Sequence, residues 1–210
     1  MSGPSANCPN CGAAIKFLWS SAVQTTCPFC KSILVRHDVD LEKVGEVGDL
    51  PVDQSPIQIG TTGGYEKRHF TVVGRIIYEY ERGSWNEWHL RLDDSTSVWL
   101  SDAMAEYAVS RATTTPGLPA AALVRVGQKY LWGGRAYEVT TLTNAHYRGV
   151  EGELPFEYWD KKDVLFADLD ATDGHFGTLD YSDDAQVLYL GEYVEYDDLH
   201  LANVRKFDGW

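Results

Sequence analysis

The stretch Phe70–Leu100, FTVVGRIIYEYERGSWNEWHLRLDDSTSVWL, constrains the fold more than any other part of the chain. Phe70, Val72, Ile76, Tyr78 and Tyr80 recur at even spacing, which in an extended strand places them on one face. Gly83-Ser84 interrupts the run, and Trp88, Leu90 and Leu92 supply a second apolar face. Asp93-Asp94-Ser95 turns the chain again before Val98 and Leu100. Three alternating runs separated by two turn signals predict an antiparallel meander with one buried face. The seven Trp, twelve Tyr and seven Phe of this 210-residue chain suit strands better than helices, so the expected fold is mostly β.

Cysteine spacing sets the second constraint. Cys8-Pro9-Asn10-Cys11 and Cys27-Pro28-Phe29-Cys30 form a C-x2-C-x15-C-x2-C pattern. Each C-x2-C turn aims two thiolates at one ion, and two turns complete a tetrahedral shell of four sulfurs. Residues 1–36 are therefore expected to form a zinc ribbon, with Cys8, Cys11, Cys27 and Cys30 around a structural Zn²⁺. Iron also accepts such a shell, and paired C-x-x-C turns also suit redox dithiols. No cysteine remains for a disulfide framework. No apolar run approaches the roughly 20 residues that cross a bilayer. The start MSGPSANCPNCG lacks the basic and apolar regions of a secretory signal, so the expected location is cytoplasmic. Residues 37–56, polar with two Gly and two Pro, read as a linker.

A fixed offset then links two parts of the remainder. Ile57, Ile59, Gly60, Tyr65, Arg68, Phe70 and Val72 match Val124, Val126, Gly127, Trp132, Arg135, Tyr137 and Val139 in type, each pair 67 residues apart (124 − 57 = 67). The phrase is strand, glycine turn, aromatic, strand, and the match fades after Val139. It predicts two packed SH3-like barrel modules related by duplication, over residues 57–120 and 121–210. Between them, Ser101–Ala112 reads as a short helix or as a turn plus strand, and Thr113–Ala120 as the connection.

Charge is unevenly placed. The net charge is −13, yet residues 51–150 balance at 10 acidic against 10 basic, and residues 151–200 hold 15 acidic against 2 basic. Residues 1–36 carry three basic groups, which four thiolates and Zn²⁺ nearly cancel, and the acidic remainder repels phosphate. Nucleic acid is thus a disfavoured partner, and a cation a favoured one. Gly149-Val150-Glu151-Gly152-Glu153-Leu154-Pro155-Phe156 reads as a shaped loop that offers Glu151 and Glu153 as charge partners, with Phe156 and Trp159 as an apolar wall. Asp183, by contrast, reads as an ordinary acidic surface group. In Trp85-Asn86-Glu87-Trp88, Trp85 and Glu87 share one strand face and offer half of a binding surface; the alternative pairs Glu87 with Arg75 across strands.

Chemical motifs are otherwise sparse. Asp168-x-Asp170-x-x-Asp173-Gly174 approximates a calcium loop, but its twelfth position is Leu179 instead of Glu. H-E-x-x-H, G-x-x-x-x-G-K-[ST] and G-x-S-x-G are all missing. The expected function is a noncatalytic binding or adaptor role toward a cationic small molecule or a basic protein segment. The alternative is an enzyme acting on amines or peptides through Glu151, Glu153 and His146.

The paired cysteines, the I-x-I-G start, W-N-E-W, V-W-L-S, E-G-E-L-P-F and Y-L-G-E-Y-V together resemble the bacterial family called domain of unknown function 4178, over about residues 57–200. In that family the ribbon is a common N-terminal attachment. The resemblance implies no established activity and carries over no catalytic residue. It implies a membrane-stress or polyamine context.

Overall fold

The computed structural model describes residues 5–37, 40–48, 50, 55–159, 163–183 and 185–207. The cysteine-bearing segment supplies β1 (Ser5–Asn7), β2 (Ala14–Lys16), β3 (Gln24–Thr26), β4 (Ser32–His37) and β5 (Asp40–Glu46). The next five strands are β6 (Thr62–Tyr65), β7 (Arg68–Tyr80), β8 (Gly83–Leu92), β9 (Ser97–Ala103) and β10 (Glu106–Thr113). The last five are β11 (Lys129–Trp132), β12 (Arg135–Leu154), β13 (Asp163–Asp170), β14 (His175–Asp180) and β15 (Val187–Val194). Two short 3₁₀ turns, Ala121–Leu123 and Tyr196–Leu199, are the remaining regular elements, and no α-helix occurs among the described residues. The predicted meander is β7–β8–β9, and Ser101–Ala112 resolves as a turn plus strand.

Eight strands close into a ring. Antiparallel pairing runs β7–β8–β9–β10 in the first half and β12–β13–β14–β15 in the second. The pairs β10–β15 and β7–β12 then join the halves at two seams. The halves expected to pack as two modules thus share one continuous sheet. Both seams demand glycine. A Cβ on Gly152 (φ +65°) would lie 2.2 Å from the Val73 carbonyl oxygen, and one on Gly191 would lie 2.1 Å from that of Val109.

A bulge explains how the ring acquires two different faces. The register of β7 against β8 shifts between Val72 and Gly74, so Val72 pairs with Leu90 and Gly74 with His89. Phe70 and Val72 therefore face outward, into a core with Ile57, Trp88, Leu90, Leu92, Leu100, Val109 and Leu199. Ile76 and Tyr78 face the other way, toward Val164 and Phe166. This corrects the single-face reading of Phe70–Tyr80: even spacing cannot register an inserted residue. The second half repeats the device, with a shift between Val139 and Thr141 and an outward core of Val124, Tyr137, Val139, Leu169, Leu179 and Leu188.

The offset noted in the sequence recurs in hydrogen bonds. Gly60 N–H donates to Val72 and Gly127 N–H to Val139, both at 2.8 Å, and the two glycines have φ of 88° and 85°. Beyond the bulges the correspondence moves to 79, since Leu90 matches Leu169 (169 − 90 = 79) as the partner of the equivalent valine. Twelve additional residues (79 − 67 = 12) thus enter the second half around the end of β12, and this is why the sequence match fades after Val139.

That extension is where the cysteine segment docks. Thr25 and Gln24 of β3 pair with Glu153 and Leu154 of β12, and Ile33 packs with Leu154 and Tyr158. Asp40–Glu46, read from sequence as linker, instead forms β5 on the edge of β4. Its acidic, polar composition suits an edge strand. Residues 38–39, 49 and 51–54 of that stretch lie outside the described residues.

Candidate functional site

Cys8, Cys11, Cys27 and Cys30 converge, with all four sulfurs within 4.8 Å of one another. The Cys8–Cys30 and Cys11–Cys27 separations are 3.7 and 3.8 Å. A Zn–S bond of about 2.3 Å places tetrahedral sulfurs about 3.8 Å apart, whereas a disulfide would bring two of them to about 2.0 Å. The geometry is compatible with zinc. Both turns are built alike: Gly12 N–H donates to the Cys8 carbonyl at 2.8 Å and Lys31 N–H to that of Cys27 at 3.0 Å, with Gly12 and Lys31 at φ 76° and 60°. The thiol of Cys30 also lies 3.2 Å from the Ser32 hydroxyl.

The inward face of the ring encloses a cavity of about 730 Å³, lined by side chains from all eight strands and by the 156–158 and 182–183 turns. Its walls are aromatic, chiefly Tyr78, Trp85, Trp99, Phe156, Phe166 and Tyr189. Tyr78 stacks on Trp85 at 5.0 Å and meets Phe166 edge-on at 5.0 Å. Among the described residues, six carboxylates line it, Glu87, Glu106, Asp168, Asp170, Asp180 and Asp183, and one guanidinium, that of Arg82. Arg82 is exposed and lies over the Tyr80 ring at 6.0 Å. No Lys or His is among the described lining residues.

Two of these carboxyls are enclosed. Glu87 keeps some surface toward the cavity, yet protein surrounds it, and this desolvation pushes its pKa up to about 7. Hydrogen bonds from Ser101 Oγ (2.8 Å) and Trp85 Nε1 (2.9 Å) counter the shift only in part. Burial likewise raises Asp168 to about 6, against a hydrogen bond from Thr178 Oγ1 at 2.9 Å. Glu87 feels the negative charge of both Asp168 and Asp180, and Asp168 feels that of Asp170. Carboxyls on different strands thus feel one another's charge. Glu106, Asp170 and Asp183 are exposed.

The residues singled out in the sequence divide among three places. Trp85, Glu87 and Phe156 line the cavity. Glu151 instead pairs with Arg75 at 3.1 Å, and that guanidinium also donates to Asn86 and lies 4.6 Å over the Trp88 ring. The alternative reading, which paired Glu87 with Arg75, is thereby corrected: Glu87 accepts from Trp85 and Ser101. Glu153 is buried where the cysteine segment docks, accepting Leu18 N–H at 2.6 Å and Trp19 N–H at 2.7 Å. Burial raises it to about 7 despite these donors. Trp159 is half-buried and packs against the core that holds Ile33, Leu154 and Tyr158. Asp183, discounted in the sequence, lines the cavity, and Glu153 does not.

The other candidate groups are dispersed. His146, exposed, pairs with Asp163, so His146, Glu151 and Glu153 each serve a different partner. The calcium-like acids also separate: Asp168 faces the cavity, Asp170 accepts Tyr193 OH at 3.1 Å, and Asp173 binds Arg135 at 2.7 Å. Among the described residues the four cysteines are the one group gathered for a metal.

The family model for the domain of unknown function DUF4178 matches residues 58–196. The chain belongs to that family. The match runs from the turn before β6 to Tyr196, so the ring and its cavity lie inside the DUF4178 domain and the cysteine cluster lies outside it. No curated protein and no solved structure matches the chain. No helix of the described residues is long and apolar enough to cross a membrane.

Proposed function

We propose that this DUF4178 domain is a noncatalytic binding module that captures an extended, multiply charged cation, a linear polyamine, inside the ring. The observation that supports this reading is the cavity lining among the described residues: six carboxylates, of which Glu87 and Asp168 are desolvated, and one rim guanidinium, between aromatic walls. A desolvated carboxylate without a cation is costly, and an incoming ammonium offsets that cost. Aromatic faces add cation–π attraction of about 0.5–2 kcal/mol each. Glu87 on β8 and Asp168 and Asp170 on β13 offer more than one charge partner, which suits a multiply charged cation. The cavity is within the range of about 300–1,000 Å³ usual for small-molecule sites. We read the cysteine cluster as a structural zinc ribbon, and the recurring bulges and glycine turns as traces of a duplicated SH3-like unit.

Calorimetry at about 0.15 M salt, where attraction between exposed charges is largely screened, tests the reading. A linear triamine is expected to bind, and to bind more weakly at pH 5.5 than at pH 7.5, since protonation of Glu87 and Asp168 removes their charge as pH falls through about 7 and 6. Glu87→Gln and Asp168→Asn should each weaken binding about tenfold or more, and Asp197→Asn, outside the cavity, should leave it unchanged. A Lys-rich peptide that outcompetes the triamine would shift the assignment to a protein segment. No heat from either ligand would refute the binding role.

A further inference from the structure

The segment Glu153–Tyr158 faces the cavity on one side and the cysteine segment on the other. Phe156 and Tyr158 line the cavity. Behind them Gln24, fully buried, grips Tyr158 with both ends of its amide: Oε1 accepts Tyr158 N–H at 2.7 Å, and Nε2 donates to the Tyr158 carbonyl at 3.1 Å. Val23 N–H donates to the Leu154 carbonyl at 3.0 Å, and the Leu18 and Trp19 amides hold the Glu153 carboxylate. Both ends of the segment are therefore fixed by residues 18–24, which lie between the two cysteine pairs.

Side-chain packing follows the same route. Trp19 meets His89 edge-on at 5.0 Å, His89 lies 5.1 Å from Trp99, and Trp99 stacks on Phe156 at 5.7 Å. Trp99 and Phe156 are both cavity wall. Residues 18–24 are held in turn by a small core of Cys8, Ile15, Phe17, Trp19, Ala22, Cys27 and Leu34, of which two members are cysteines of the cluster. A segment this short draws much of its folding energy from a metal when it has a four-thiolate site.

We propose that the cysteine centre serves ligand capture: the metal keeps residues 18–24 in place, and Gln24 is the positioning residue that sets the Phe156–Tyr158 wall of the cavity. The ligand part of this inference rests on the cavity being the binding site; the part concerning the wall does not. Hydrogen exchange separates them. Stripping the metal with a chelator under reducing conditions should speed exchange of Tyr158 N–H and Val23 N–H about tenfold or more, and leave Val72 and Val139 N–H, which donate to the Thr61 and Gln128 carbonyls, protected. Gln24→Ala, which retains all four cysteines, should speed exchange at Tyr158 alone and weaken triamine binding about tenfold with the metal still bound. Unchanged protection at Tyr158 after metal removal, or triamine affinity unchanged by Gln24→Ala, would overturn the proposal. A wild-type protein that binds no triamine would refute the polyamine reading, and the exchange of Tyr158 would still decide the role of the metal in the wall.

Discussion

The two faces of the same eight strands do opposite things. Outward, Phe70, Val72, Trp88, Leu90 and their counterparts Tyr137, Val139 and Leu169 are sealed in apolar cores. Inward, the same strands present Glu87, Ser101, Asp168 and Thr178 among aromatic rings. One face lowers the free energy of the fold, and the other raises it by desolvating Glu87 and Asp168. That cost is the ground for the proposed binding role of the inward face.

The comparison predicts effects of opposite sign. The largest is expected from Trp88→Ala on the outward face. The ring is fully buried, lies under the Arg75 guanidinium and donates to Asp102 at 3.3 Å. Its loss should cost about 3–5 kcal/mol in urea denaturation.

On the inward face Glu87→Gln should do the reverse. A carboxyl whose pKa rises from 4.5 to about 7 on folding holds its proton better in the native state. Native protein thus binds more protons than unfolded protein between those values, and stability falls as pH rises through that window. The variant should be more stable than wild type by about 1–3 kcal/mol at pH 8, and equal to it near pH 4. A variant less stable at pH 8 would mean that Glu87 supports the fold.

Glu153 sharpens the contrast, because burial raises it equally, to about 7, but it accepts two backbone N–H groups. An amide in its place turns an NH₂ toward one of them. Glu153→Gln should therefore destabilise the docked cysteine segment by about 1–2 kcal/mol, read as faster exchange at Leu18 or Trp19. At the bottom of the scale, Lys129→Ala, which breaks the exposed ion pair with Glu138, should give no measurable shift in the denaturation midpoint.

Much of the fold was legible in the sequence. The meander, the burial of Trp88, the convergence of the four cysteines and the matching starts of the two halves follow from alternation and spacing. The inward site was legible only in part. Ala167-Asp168-Leu169-Asp170 and Thr178-Leu179-Asp180 alternate as a half-solvated strand would, leucine toward a core and acid away from it. Only ring closure turns that polar face into a cavity wall, and closure depends on the pairings β7–β12 and β10–β15, between residues some 70 to 90 apart. For the same reason the Gly-flanked Glu151 and Glu153 look like a loop in the sequence. They are instead the strand that carries one seam and receives the cysteine segment.

A crystal structure grown with a saturating linear triamine would decide what the inward face is for. Density for an extended chain running past Glu87 and Asp168, between the Trp85 and Tyr189 walls, is the predicted result. An empty cavity, with amine bound only along the outer acidic surface, would contradict it.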